Sequence, residues 1–373
     1  MNPPMPRSRT LTPDEAEAFG QELDAIRHAV LADLGQRDVD HLRRTIRVCR
    51  YAEAGGRLML HFGVGPVSFV LGTSLLGLSK ILDNMEIGHN VMHGQYDWTG
   101  DPELRGDTFE WDMACASDQW RHYHNFEHHT FTNIFGKDRD IGYALVRITP
   151  EQSWHPVCLG QTVGAALMAL NFQWGIGTHD LRIDDTVRGE QSLAELGRRS
   201  RPFLEKAAWQ LFKDYGLYPA LAGLNAPRVV AGNLLANMMR NLWSFAVIFC
   251  GHFPEGARIY SAEETEHETR GQWYARQVNG SANLEGGRLF HILTGHLSHQ
   301  IEHHLFPDLP ASRYLEVAEQ VQETCSRYGQ VYNTGSFGTQ LKSVLGKIVR
   351  YSLPTPARSL SAAGPSLQLA GAT

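Results

Sequence analysis

Apolar residues gather in long runs along this chain, not in short alternating pairs. Residues 58–82 read LMLHFGVGPVSFVLGTSLLGLSKIL, residues 154–176 read WHPVCLGQTVGAALMALNFQWGI, and residues 228–253 read RVVAGNLLANMMRNLWSFAVIFCGHF. A weaker run, AAWQLFKDYGLYPALAGL, covers 207–224. Each of the first three is about long enough to cross roughly 30 Å of hydrocarbon as a helix. None is clean: Arg240 sits midway along the third, and the mean hydropathy of the chain is −0.29. The runs therefore predict an all-α chain, and by themselves fit buried helices of a large soluble protein as well as membrane helices. Residues 1–55 are charged and mixed and predict soluble helices, the first capped by Thr12 with Pro13 at its first position and Asp14 and Glu15 in its first turn. Three parts result: an N-terminal helical segment (1–55), a main domain (56–335), and a C-terminal helix with a flexible tail (336–373), the tail covering 354–373.

Composition narrows the function. Net charge is −6 with no basic run, which argues against nucleic acid as a partner. Cys49, Cys115, Cys158, Cys250 and Cys325 are scattered without a CxxC, as expected of reduced, inert thiols. The start, MNPPMPRSRT, lacks the apolar core of a signal peptide. Histidine is the unusual residue, through its placement. His89, His93, His122, His124, His128 and His129 form one cluster; His291, His296, His299, His303 and His304 form another.

Two six-residue stretches nearly repeat: HNFEHH at 124–129 and HQIEHH at 299–304. On an α-helix, His89 and His93 stand four residues apart on one face, as do His124 and His128, and His299 and His303. A doubled His diverges by roughly 100°, so it reaches two metals, or one metal and its surroundings. So many imidazoles exceed the four ligands of a tetrahedral zinc and suit a closely spaced metal pair. Imidazole donors fit Zn, Cu, Fe or Ni and not Mg or Ca. There is no HExxH of a zinc protease. Glu127 and Glu302 precede the doubled His residues and are candidates to orient the ligands. The parallel with His124 favours His299 as a ligand, with Gln300 as its hydrogen-bonding neighbour. His28, His41, His61, His155, His267 and His291 are read as ordinary core or surface residues.

HNVMH (89–93), HNFEHH (124–129) and QIEHHLFP (300–307) resemble the three histidine boxes of the integral-membrane fatty acid desaturases. The similarity extends through GHNVMHGQYDW, HHTFTNIFGKDRDIGY, CGHFPEG and GHLSHQIEHHLFPDLP, and it is nearest to bacterial, actinobacterial-type members. The resemblance implies transmembrane helices under a cytoplasmic helical cap that holds two non-haem irons. It also implies O2-dependent removal of two hydrogens from a fatty acyl chain, and a multi-pass protein of the cell membrane with its active site facing the cytoplasm. Carried over by position, the ligands are His89, His93, His124, His128, His129, His303 and His304, with His252 of CGHFP as an extra one. Arg121, Lys137 and Arg139 are candidates for the headgroup of an acyl-CoA or acyl-lipid substrate, against ordinary surface pairing. Trp98, Trp111 and Trp120 flank the boxes, where packing is the default role. Of the regiochemistries, Δ9 is favoured. No HPGG-type cytochrome b5 segment occurs, so the donor is expected to be a separate ferredoxin, rubredoxin, or cytochrome b5 with its reductase. The competing readings are a hydroxylase or ketolase on the same fold and a non-catalytic membrane metal carrier.

Topology leaves two arrangements. If both hexapeptides serve one site, an even number of crossings separates them. Residues 154–176 and 228–250 supply two, but Arg198, Arg199 and Arg201 between them then face away from the cytoplasm, against the positive-inside rule. In the other arrangement 154–176 lies in the membrane plane, and 207–224 with 228–250 forms a hairpin turning at Asn225-Ala226-Pro227. The family's usual two crossings before the first box meet only one clear span, at 56–88.

Overall fold

The computed structural model describes residues 7–355 and is helical almost throughout. The helix expected after Thr12 runs from Pro13 to Ala32. Thr12 Oγ1 accepts from the Glu15 N–H while the Glu15 carboxylate accepts from the Thr12 N–H, which satisfies two otherwise unpaired donors. The exception to an all-α fold among the described residues is one pair of three-residue parallel strands, Asn283–Glu285 and Thr334–Ser336. The tail expected at 354–373 lies outside the described residues except for its first two.

Two helices among the described residues are long and apolar enough to cross a membrane, Gly65–Met92 and Gly223–His252. The first has a companion: Gln36–Phe62 turns at Gly63 and Val64 and packs back along it. The two approach through glycines. A Cβ on Gly56 would stand 2.8 Å from the Gly72 carbonyl oxygen, and one on Gly72 would stand 2.9 Å from Met59 Cβ. Small residues at a helix contact allow this closeness. The single span predicted at 56–88 is therefore broken by this turn: residues 56–62 end the Gln36–Phe62 helix, which is charged in its first half, and the rest lies in the Gly65–Met92 arm.

The run at 154–176 does not form one long helix. It breaks into a 3₁₀ turn, Pro156–Gly160, and two short helices, Gln161–Leu170 and Phe172–His179, because Asn171 leaves helical geometry at φ −115°, ψ 28°. The hairpin of the second arrangement is present. Leu193–Phe212 continues through the π-helical turn Lys213–Leu217 to Tyr218–Leu221, then reverses at Gly223–Asn225 into Ala226–His252. His61 Nε2 bonds the Tyr218 carbonyl (3.0 Å), joining the tips of the two hairpins. Phe62, Val64, Val67, Leu221, Leu224 and Val230 are exposed around those tips. An exposed apolar patch of this kind marks a surface made for lipid or for a partner.

Arg240, the blemish in the third run, is fully buried in a polar network. Its Nη1 donates to the Asp112 carbonyl (3.2 Å), Lys80 Nζ lies 3.0 Å from Asp214 Oδ2, and Lys213 pairs with Asp112. Lys80, Lys213, Asp112 and Asp214 are thus paired with one another, which is the condition for burying them, while Arg240 is bonded to the Asp112 carbonyl and to Asn241 Oδ1 (3.2 Å). Around the other end of the molecule, Pro13–Ala32, Arg270–Gly280 and Tyr314–Arg327 close a core of Phe19, Leu23, Tyr274, Ile301, Phe306 and Val321 over the third box.

Candidate metal centre

The histidine boxes sit where the stem helices run into this cap. His89 ends a π-helical turn, Leu82–His89, and His124 and His128 lie in another, Arg121–His128. The sequence reading assumed α-helical turns. The wider i→i+5 turn, a common feature of functional sites, brings residues four and five apart to one face. His124 therefore meets both His128 and His129, with ring centroids 5.2 and 5.0 Å away.

Eight imidazoles converge. Donor atoms of His89, His93, His124 and His303 lie within 4.8 Å of one another, and so do those of His128, His252 and His304. His129 stands between the groups, with its ring 4.8 Å from those of His93 and His303 and 4.5 Å from that of His304. Each of the eight has a buried ring nitrogen with no hydrogen-bond partner: Nε2 of His89, His93, His124, His128, His303 and His304, both nitrogens of His129, and Nδ1 of His252. A buried polar atom without a partner costs about 1–3 kcal/mol. Eight together cost as much as the whole net stability of a typical domain, roughly 5–15 kcal/mol. Metal ions shared among the rings would satisfy such a set.

The far nitrogens are fixed, which sets the tautomers. Nδ1 of His89 faces Asn90 Oδ1 (3.2 Å), and Nδ1 of His128 faces Asp138 Oδ1 (3.2 Å) and Asp140 Oδ2 (3.4 Å). Nδ1 of His303 faces the Tyr314 hydroxyl (3.3 Å), and Nδ1 of His304 faces Gln277 Oε1 (3.1 Å). With the proton held at Nδ1, the Nε2 lone pair points inward, the arrangement metal-ligating histidines use. His124 is held by stacking on Trp120. Burial first, and then the neighbouring imidazoles, hold His93, His124, His129, His303 and His304 well below the usual histidine range, so their lone pairs are free at neutral pH. His128 goes the other way: burial opposes its charge, but Asp138 and Asp140 outweigh burial and raise it.

Several expectations are corrected. His299 joins neither group. The helix of the third box begins one residue later, at Gln300, and His299 at φ −107°, ψ 57° turns its ring onto His291, 4.6 Å away. Gln300 takes the inward position, and its side-chain amide lies 3.2 Å from His252 Nε2. Glu127 pairs with Arg182 and touches no ligand it was expected to orient. Glu302 is fully buried and accepts from Asn283 Nδ2 (2.8 Å) and the Tyr332 hydroxyl (2.7 Å), again without touching a ligand. Burial pushes its carboxyl up to about 7. Asn283 Oδ1 also accepts from the Ile301 N–H, so the small sheet anchors the box. Arg139 is bound to Asp184 and Asp185, and Arg121 donates to the Phe109 carbonyl; only Lys137 of the three headgroup candidates is exposed and free of a carboxylate. The ligand-orienting Asp138 and Asp140 were missed. The alternation in KDRD could have found them: Lys137 points out while the two Asp residues point in.

Against one wall of the centre lies a narrow cavity. Trp111, Met85, Ile176, Ile248 and Leu297 line it, and His89, His124 and His252 border it. Trp120 lies there also, whereas Trp98 is exposed on the surface. A mostly apolar slot bordered by these imidazoles is the kind of site that takes an apolar group.

A family model described as fatty acid desaturase matches residues 65–336. The chain is 43% identical over 348 residues to the NADPH-dependent stearoyl-CoA 9-desaturase of Mycobacterium tuberculosis, covering 92% of this chain and 82% of that protein. It is 25% identical over 279 residues to the sn-1 linoleoyl-lipid 6-desaturase of Synechocystis, covering 72% and 76%. The three boxes and the mostly apolar cavity beside them agree with these likenesses: the chain belongs to the fatty acid desaturase family, oxidoreductases that act on fatty acyl chains.

Proposed function

We propose that this chain is an O2-dependent di-iron desaturase that places a cis double bond at the Δ9 position of a fatty acyl chain carried as acyl-CoA or acyl lipid. The observation that carries the di-iron reading is the set of eight imidazoles with free, buried nitrogens. His89, His93, His124 and His303 would hold one iron and His128, His252 and His304 the other, with His129 between them. When bound, the irons supply the O2 chemistry that removes hydrogen from an unactivated alkyl carbon, which no side-chain base can do. The balance is one –CH2–CH2– unit, one O2, two electrons and two protons giving one –CH=CH– unit and two waters. The chain's own residues position and protect. Asn90, Asp138, Asp140, Gln277 and Tyr314 hold the imidazole tautomers, and the apolar slot sets which carbons face the centre.

Electrons come from a separate ferredoxin, rubredoxin, or cytochrome b5 with its reductase; the mycobacterial relative's NADPH dependence supports such a donor chain. Gly65–Met92 and Gly223–His252 cross the cell membrane in this reading, with the metal centre on the cytoplasmic side. The adopted hairpin supports this, since it no longer strands Arg198, Arg199 and Arg201 across the membrane. The test is expression in a host with defined fatty acids, followed by double-bond mapping with and without O2 and by metal analysis of the purified protein. A new Δ9 bond that needs O2, with about two irons per chain, is expected. Hydroxy or keto acids in its place would move the chain to a hydroxylase or ketolase. A single tightly bound zinc without activity would overturn the reading.

A further inference from the structure

A smaller cluster of ligand-type side chains lies outside the eight-imidazole centre. His41 comes from the Gln36–Phe62 helix, Glu86 from the π-helical turn Leu82–His89, and His296 from the loop before the third box. One donor atom from each lies within 4.8 Å of the other two. Glu86 Oε1 is 2.7 Å from His41 Nε2, and Oε2 is 2.9 Å from His296 Nδ1. The Glu86 side chain is 2% exposed and the His296 side chain 7%. Among the described residues, no Lys or Arg pairs with this carboxylate. A buried carboxylate without a cation is costly, and two imidazoles compensate it only if they carry charge.

The backbone is bent to bring the three together. His296 is left-handed at φ 56°, ψ 9°, a conformation that costs a residue with a side chain on the order of 1 kcal/mol or more. Gly295 before it, at φ 65°, crosses so close to the Glu86 turn that a Cβ would stand 2.2 Å from the Met85 carbonyl oxygen. Asn90 Nδ2 donates to the Glu86 carbonyl (3.0 Å) and to the Gly295 carbonyl (3.4 Å), clamping the two ligand-bearing strands of backbone. Strain of this kind persists only where the surroundings impose it.

We propose that His41 Nε2, a Glu86 carboxylate oxygen and His296 Nδ1 bind a single divalent transition-metal ion of the zinc class, separate from the paired centre. Two imidazoles and one carboxylate are a common donor set for such an ion. Bonds of about 2.0–2.2 Å place tetrahedral ligands roughly 3.3 Å apart. The three donor atoms lie within 4.8 Å of one another, with the two nitrogens now on different oxygens of the carboxylate, so rotation of the side chains brings both nitrogens around a single ion beside one oxygen. The fourth position goes to water on the side of His41, the most exposed of the three ligands at 14%. The ion then clasps the charged helix before the first span to the turn carrying His89 and to the loop feeding the third box.

The experiment uses the untagged full chain in detergent, exposed to micromolar zinc and desalted, with metals counted by mass spectrometry and zinc located by anomalous scattering. One zinc equivalent at this cluster is expected, lost in both His41→Ala and His296→Asn while the remaining metals stay. Glu86→Gln serves as a third variant should either of those fail to fold. The proposal fails if the wild type holds no ion at the cluster, or if both variants retain the wild-type zinc content. Loss of every metal together from a folded variant would also overturn it, because the cluster would then be scaffold for the paired centre.

Discussion

HNFEHH and HQIEHH differ in two letters, yet the molecule uses them differently. The first lies wholly inside a continuous helix with a π-helical turn, so all three of its histidines face the centre. The second straddles a helix start, so its first histidine is thrown onto His291 and only the last two face inward. The glutamates diverge as well. Glu302 is fully buried among its partners, whereas Glu127 makes a half-buried ion pair with Arg182. A repeated sequence carries its ligand role only as far as the backbone repeats too.

The sharpest way to test this contrast is to remove equivalent letters. His128→Ala should abolish desaturation, with a fall of well over 100-fold and loss of iron while the protein still inserts in membranes, since losing a ligand exceeds the 10–100-fold usual for outer partners. Near-normal activity would remove His128 from the centre. The first letters of the two boxes should then separate cleanly. His124→Ala loses metal and activity, while His299→Ala keeps full iron content and most activity; equal losses would erase the distinction drawn from the helix start. Gln300→Ala should fall between, with activity down about 10-fold through the freed His252 ring, measured as turnover per bound iron.

The weakest effects separate the glutamates. Glu302→Ala leaves Asn283 and Tyr332 without their acceptor and should cost about 1–3 kcal/mol, read as a lower melting temperature. Glu127→Ala removes a partly exposed ion pair and should cost under about 1 kcal/mol. A larger loss in Glu127→Ala than in Glu302→Ala would reverse the assignment of which box is packed and which is pinned at the surface.

Much of this was legible in the chain itself. The helical character, the first helix start at Thr12, and seven of the eight converging imidazoles follow from spacing, because side chains four apart share a face whether the turn is α or slightly wider. His252 is different: it stands alone in CGHFP and was reachable only through resemblance. What stayed hidden depends on where helices start and stop. The break at Asn171 divides the second apolar run, and the start at Gln300 leaves His299 against His291, yet neither carries a proline or a strong cap to announce it. Arg240 reads as a flaw in a membrane run because the carbonyl it bonds, that of Asp112, comes from a segment far away in sequence.

The ends of the two long apolar helices have a mechanical consequence. His89 lies near the end of one and His252 at the end of the other, so the spacing of ligands in the cap is tied to how far each helix slides through the stem. One residue of helix is 1.5 Å of travel, several times the tolerance of about 0.2 Å within which metal bonds must be met. Helices in a bilayer answer changes in its thickness by tilting or shifting. A slip of either helix by one residue would therefore carry His89 or His252 out of reach of the imidazoles it now meets.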